Sequence, residues 1–251
     1  MIICKLMGGL GNQLFQWAAS QSAKIKYNTE CYYEVDYFIN NHGWKFELLE
    51  FDIEEPKVLG QNTFVLPTIG DSFHYRELPN DCYMNGYWQS EKYFKDIKEI
   101  LRKQLEVSEE KKDNILNLYP FMKDETVSLH VRRGDYLKAS HVHPCQTLDY
   151  YDEAVDLAAK SDTNILVFSD DIEWCKQNFK YDNMYFAENQ TNVTDMHSMS
   201  LCSHNIIANS SFSWWGAWLN NNIEKKVIAP KNWFADGTYS GDIVPEDWTV
   251  I

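Results

Sequence analysis

The chain is 251 residues long and carries 37 Asp and Glu against 23 Lys and Arg, a formal net charge of −14. That balance excludes a nucleic-acid backbone as partner, because such binding rests on many phosphate contacts from a basic surface. Hydrophobic residues make up 44% and aromatic ones 15%, the composition of a globular chain long enough for one large core or two smaller ones.

Cys4, Cys31, Cys82, Cys145, Cys175 and Cys202 are scattered, with no Cys-x-x-Cys pair. This usage fits reduced thiols and indicates neither a zinc site nor a disulfide framework. No apolar run reaches the roughly 18 residues of a transmembrane helix, and the N-terminus lacks a signal-peptide core. A cytoplasmic location is expected, so the sequons at Asn189, Asn192 and Asn209 are chance matches.

In chain order, Ile2 to Leu6 is a short apolar run stopped by Gly8-Gly-Leu-Gly11. Asn12 and Gln13 then open a segment with Leu14, Trp17, Ala18 and Ile25 at helical spacing. Strand, glycine turn and helix outline a loop whose backbone N–H groups can approach a phosphate, although the same glycines serve a tight connection equally well. A second strand is expected from Glu30 to Val35. It ends in Glu34-Val-Asp36, which serves as a solvated strand end or a source of a general base rather than as a metal site.

From Asn40 to Asp81 no long period survives, and Pro56, Pro67 and Pro79 mark irregular structure able to shape an acceptor pocket. Cys82 to Trp88 is apolar again. Gly86-Tyr-Trp-Gln-Ser-Glu-Lys-Tyr-Phe94 leads into a helix to about Leu105, with Phe94, Ile97, Ile100 and Leu101 as its buried stripe. A charged helix from Ser108 to Leu118 stops at Pro120, and Pro120 to Glu125 is the expected domain boundary.

Beyond it the rhythm is regular. Val127-Ser-Leu-His-Val-Arg-Arg-Gly-Asp-Tyr136 is a buried strand emptying into a glycine turn, and it carries two of the four arginines in the chain (Arg76, Arg102, Arg132, Arg133). Guanidinium matches phosphate oxygens two at a time, and ligands of open α/β sheets sit at the carboxyl ends of strands. An anionic ligand follows. Helices from 148 to 160, 172 to 179, 195 to 202 and 212 to 221 alternate with strands from 164 to 168, 184 to 187, 205 to 208 and 227 to 229, the pattern of βαβ units in a parallel sheet.

Ser169-Asp-Asp171 and Asn209-Ser-Ser-Phe-Ser-Trp-Trp-Gly216 follow two of these strands, so hydroxyls, carboxylates and helix-start amides gather on the rim that holds Arg132. Helix capping accounts for each cluster equally well. Asp195 either caps the helix it opens or accepts the two N–H donors of a guanine edge.

His130-Val-Arg-Arg-Gly-Asp135 resembles the HxRRGD motif of the α-1,2-fucosyltransferases, glycosyltransferase family 11. The Gly8-Gly-Leu-Gly-Asn-Gln-Leu-Phe15 loop, the Gly86 string, Ser169 to Asp171, Asp195 and Asn209 to Gly216 resemble the family in its order. The resemblance implies a GT-B-type α/β fold of two Rossmann-like lobes, with residues 1–122 on the acceptor side and residues 123–251 holding the donor. It implies GDP-β-L-fucose as donor, inversion, an α-1,2 linkage to a galactose-like glycan acceptor, and no required metal or cofactor.

By the same resemblance Arg132 neutralises the departing diphosphate, assisted by His130 and the amides near Ser211. Gly9, Gly11, Asn12 and Gln13 lie near the diphosphate, Asp170 near the nucleotide, and Asp195 at the guanine, with Asn209, Ser210 and Phe212 completing the donor site. Asp135 is the nearest carboxylate to act as base, with Asp36 and Glu34 as further candidates, and Arg133 is expected to pair with Asp135. A transferase using another GDP-sugar, or a non-catalytic GDP- or glycan-binding module, are the alternatives.

Overall fold

The computed structural model of the chain describes residues 1–39, 43–59, 66–70 and 73–251. Parts of the expected acceptor-pocket stretch, residues 40–42, 60–65 and 71–72, lie outside the described residues. The chain divides into two compact units. One comprises residues 1–106 and 239–245, the other residues 107–238 and 246–251.

The first unit holds β1 (Ile2–Lys5), α1 (Leu10–Tyr27), β2 (Cys31–Glu34), α2 (Asp36–Ile39), β3 (Thr68–Gly70), β4 (Cys82–Asn85) and α3 (Lys98–Gln104). Its sheet has the order β2-β1-β4-β3 and is parallel throughout. Gly8 has φ +78°, a conformation that costs glycine nothing and lets β1 turn straight into α1. Leu14, Phe15, Trp17 and Ala18 are buried as expected, but Ile25 is 48% exposed because it falls in the last turn, beyond the sheet.

The helix expected from Phe94 starts later. Two 3-10 turns, Glu91–Tyr93 and Lys95–Ile97, precede α3; Phe94, Ile97 and Leu101 are buried as expected, with Leu105 added, while Ile100 is 49% exposed. Within the stretch expected to be irregular, β3 adds a strand that is too short to show a period.

The second unit begins with α4 (Glu109–Leu118), earlier than the boundary expected at Pro120–Glu125. Ile115 is the reason: with Tyr119 and Met122 it packs into one cluster with Leu166, Phe168 and Met199. Burying such side chains stabilises by roughly 1.5–3 kcal/mol each, which outweighs the local break at the proline.

There follow β5 (Thr126–Val131), α5 (Leu148–Ala158), β6 (Asn164–Ser169), α6 (Ile172–Asn178), β7 (Met184–Phe186), α7 (Asn192–Leu201), β8 (His204–Ile206), α8 (Ser211–Leu219), β9 (Val227–Ala229) and β10 (Thr249–Val250). The sheet order is β10-β9-β8-β5-β6-β7, every pair parallel. All six residues of β5 are buried. The chain runs outward from β5 through β6 to β7, then returns to β8 on the other side. That reversal beside β5 is a topological switch point, where open α/β sheets bind ligands.

Candidate active site

In a parallel sheet the helix following each strand starts at the carboxyl edge, so β5, β6, α7 and α8 deliver their ends to the same rim. Val131 is the last buried residue of β5, and Arg132 and Arg133 leave the strand in different directions. Arg132 places Nη2 2.7 Å from Asp135 Oδ1 and Nη1 3.2 Å from Asp170 Oδ2. Arg133 donates from Nε to Asp171 Oδ2 at 3.1 Å and lays its guanidinium 3.9 Å from the Trp174 ring centroid.

The pairing expected between Arg133 and Asp135 is therefore corrected. The 3-10 turn Asp135–Leu137 brings Asp135 back to Arg132 across i,i+3, while the register of Val131 with Ser169 sets Asp171 beside Arg133. Asp135 thus commits Oδ1 to aiming Arg132. Asp170 accepts from the Arg133 backbone N–H at 2.9 Å as well as from Arg132. A Cβ at position 134 would stand 2.5 Å from Asp170 Oδ2, so the turn needs Gly134 to let that carboxylate in.

His130 is buried, with Nδ1 2.8 Å from Ser213 Oγ and its ring centroid 5.6 Å from that of Phe212. Burial, helped by the Arg132 charge, pushes its pKa well below the usual imidazole range. His130 is therefore a neutral ring, so any assistance it gives to Arg132 comes from hydrogen bonding rather than from charge. Ser213 donates to Ser210 O at 3.4 Å, so it accepts from His130 Nδ1–H and leaves Nε2 as an acceptor. Sequence reasoning missed Ser213, although its place three residues after Ser210, on the same helix face, was available.

Asp195 sits in the first turn of α7 without capping it, since Thr191 Oγ1 accepts from Thr194 N at 3.1 Å. The capping alternative is set aside. Asp195 Oδ1 is buried with no hydrogen-bond partner among the described residues, and burial pushes the carboxyl up to about 7. Leaving a carboxylate oxygen buried and unmatched costs on the order of 1–3 kcal/mol or more, a cost that a ligand with N–H donors removes.

Ser210 caps α8, accepting from Phe212 N at 3.3 Å, and Ser211 and Phe212 are half-buried in the first turn. Asn209 is an internal brace rather than a ligand contact. Its Nδ2 donates to Pro144 O and Trp233 O at 3.0 Å each, and its Oδ1 accepts from Gln146 Nε2 at 3.0 Å. Tyr136 OH donates to its backbone oxygen at 2.9 Å.

The glycine-loop residues belong to the first unit. Gly9 is the N-cap of α1, Gly11 is buried in its first turn, and Asn12 Oδ1 accepts from Gln89 Nε2 at 2.8 Å. Gln13 is wholly buried: Nε2 donates to Gly8 O at 2.9 Å and Lys45 O at 2.8 Å, and Oε1 accepts from Glu47 N at 3.0 Å. With every amide group engaged, Gln13 ties two loops together rather than meeting a diphosphate. Glu34 Oε2 accepts from Tyr83 OH at 2.7 Å, and Asp36 opens α2. Among the described residues no group of three or more His, Cys, Asp or Glu could hold a metal ion.

A polar cavity of about 550 Å³ opens at the opposite, amino-terminal edge of the six-stranded sheet. There Glu125 pairs with Lys160 at 3.1 Å and faces His204 at 3.6 Å, so its charges offset one another.

Comparison with solved structures places the architecture. The fucosyltransferase NodZ from Bradyrhizobium superposes with TM-score 0.55 at 14% identity, over 86% of this chain and 91% of that one. NodZ alpha-1,6-fucosyltransferase soaked with GDP-fucose gives 0.55 at 15%, over 87% and 91%. Two parallel α/β sheets with this likeness make the fold GT-B-type.

The family model of Glycosyl transferase family 11 matches residues 65–251. An alpha-1,2-colitosyltransferase of Escherichia coli is 31% identical over 100% of this chain and 99% of its own. The O-antigen biosynthesis glycosyltransferase WbnK of Escherichia coli is 31% identical over 97% and 98%. A galactoside 2-alpha-L-fucosyltransferase of Caenorhabditis elegans is 26% identical over 85% and 67%. The chain belongs to glycosyltransferase family 11.

Proposed function

We propose that the protein is an inverting, metal-independent glycosyltransferase that moves L-fucose from GDP-β-L-fucose to the 2-hydroxyl of a galactose-like residue, forming an α-1,2 linkage. The observation that carries this reading is the buried Asp195 Oδ1, without a hydrogen-bond partner among the described residues, on the rim that also holds Arg132. Guanine offers two adjacent N–H donors, and a carboxylate accepts both. Arg132 then meets the diphosphate, and the first-turn amides of α8 add their dipoles.

Breaking the fucosyl–phosphate bond leaves negative charge on the departing GDP and positive character on the ring. A guanidinium already aimed by Asp135 and Asp170 stabilises that charge without reorganising. Acceptor activation calls for a base, and Asp135, Asp36 and Glu34 remain the carboxylates to test. The test of the whole reading is incubation with GDP-fucose and a set of β-galactosides, with the new linkage located by NMR. Full activity in EDTA is expected, and GDP binding with neither transfer nor donor hydrolysis would instead favour a binding module.

A second reading is favoured by the 31% identity to a relative named alpha-1,2-colitosyltransferase. Colitose is L-fucose lacking the 3-hydroxyl, so the same guanine and diphosphate contacts serve either donor. A panel of GDP-fucose, GDP-colitose and GDP-mannose decides, by kcat/KM. Among the described residues no helix is long and apolar enough to cross a membrane, which is compatible with the cytoplasmic work on a precursor glycan that this function calls for.

A further inference from the structure

The loop between β5 and α5 carries His143, half-buried, with its ring stacked on that of Tyr136 at 4.9 Å between centroids and tilted against Phe234 at 5.5 Å. The centroid of the same Tyr136 ring lies 5.5 Å from Cζ of Arg132, so guanidinium and imidazole share one aromatic support. The backbone is pinned at three successive residues. Val142 O accepts from Ala235 N at 2.8 Å, His143 N donates to Ala139 O at 2.9 Å, and Pro144 O accepts from Asn209 Nδ2 at 3.0 Å. Asn209 O also accepts from Tyr136 OH at 2.9 Å. The Asn209 brace therefore fixes both the ring that His143 leans on and the residue that follows it.

The two ring nitrogens differ. Nδ1 is buried with no hydrogen-bond partner among the described residues, whereas Nε2 is neither sealed from solvent nor hydrogen-bonded among them. Burial holds the pKa below the usual imidazole value, with Asp135 and Asp236 pulling it up and Arg132 and His141 pushing it down, so the ring is neutral at pH 7. A neutral imidazole carries one N–H, and placing it on Nδ1 would leave a donor buried without an acceptor. The proton therefore resides on Nε2, which makes His143 a donor and not a base for the acceptor hydroxyl.

We propose that His143 Nε2–H donates to the β-phosphate of the nucleotide diphosphate, as the neutral companion of Arg132 in holding the leaving group. This rests on the transferase reading, and it adds a residue that lies outside the motifs. Arg132 neutralises charge, while His143 supplies a fixed dipole where charge grows as the sugar–phosphate bond breaks, and no proton changes hands.

The experiment compares GDP and GMP binding by isothermal titration in the unaltered protein, His143→Ala and His143→Gln. His143→Ala is expected to weaken GDP roughly 10- to 100-fold and GMP not at all, with kcat falling in step. His143→Gln, which keeps an N–H, should restore most of both. A ¹⁵N spectrum of the unaltered protein gives a readout free of any substitution: GDP should move the His143 Nε2 signal and GMP should leave it in place.

Absence of fucosyl transfer with these differences intact would sink the donor sugar and leave the phosphate contact standing. Equal losses of GDP and GMP affinity in His143→Ala, or an Nε2 signal indifferent to GDP, would overturn the contact itself. So would an acid limb in kcat/KM that disappears in His143→Gln, the mark of a base.

Discussion

Asp170 reaches both members of the arginine pair, with Oδ1 2.9 Å from the Arg133 backbone nitrogen and Oδ2 3.2 Å from Arg132 Nη1. One carboxylate thus sets the exit of β5 and the direction of the guanidinium together. The two arginines nevertheless do different work. Arg132 is aimed by Asp135 and Asp170 on the rim, so Arg132→Ala should lower kcat by about 10²–10³-fold, the cost of one preorganised donor at a developing charge, while the melting temperature stays put. Arg133 is sandwiched between Asp171 and the Trp174 ring. Arg133→Ala should instead destabilise the fold by about 1–2 kcal/mol, read from denaturant midpoints. An active, folded Arg132→Ala protein would remove Arg132 from the mechanism.

The same carboxylate explains a glycine. Because a Cβ at position 134 would fall 2.5 Å from Asp170 Oδ2, Gly134→Ala must push Asp170 away. The expected outcome is a loss of kcat approaching that of Arg132→Ala, with GDP binding reduced by less than tenfold. Isothermal titration with GDP beside steady-state kinetics separates the two quantities.

Asp195 ties stability and binding to pH in opposite directions. Its folded-state pKa, raised to about 7 by burial, lies above the unfolded value near 3.8. The folded chain therefore holds the proton more tightly, and the stability this gives is present at low pH and lost as pH rises toward 7. A guanine edge needs the ionised form, so GDP affinity should fall about tenfold per unit as pH drops below about 7. Asp195→Asn should melt higher than the unaltered protein at pH 8. It should also bind GDP roughly 30- to 150-fold more weakly, with the pH dependence gone. A GDP affinity flat from pH 5 to 8 would count against the guanine contact, and calorimetry across that range of about three units measures it.

Ser213 sets which nitrogen of His130 faces the site. With the Ser213 hydroxyl turned to Ser210 O, Ser213 Oγ is left to accept from His130 Nδ1 at 2.8 Å, and Nε2 of the neutral ring then carries the lone pair. His130 should show no titration between roughly pH 5 and 8 in a histidine NMR spectrum. Ser213→Ala should shift the ring toward the other tautomer, visible in its ¹⁵N shifts, and raise the donor KM about tenfold. Ser213→Thr, which keeps the hydroxyl, should restore both.

Much of the second unit could be read residue by residue. Each helix there announces itself with a capping residue, Ser108, Thr147, Asp171, Thr191 or Ser210, and each strand with an apolar run. Such signals act over three or four residues, and the rim residues simply follow the runs. The braces were not readable. Gln13 and Asn209 look like ligand contacts because their amides suit a phosphate or a sugar, yet each is spent on backbone 24 or more residues away in sequence, at Lys45 and Trp233.

The chain by itself determined the parallel α/β plan of the second unit, the arginine pair at the end of β5 and the acidic net charge, because periodicity, capping and net charge are read from the sequence alone. Only the tertiary structure decided which aspartate each arginine takes, where the units divide, that His130 is neutral and that His143 stacks on Tyr136. Those outcomes are choices among chemically equivalent partners. Strand register and burial make the choice, and both depend on groups brought together from distant parts of the chain.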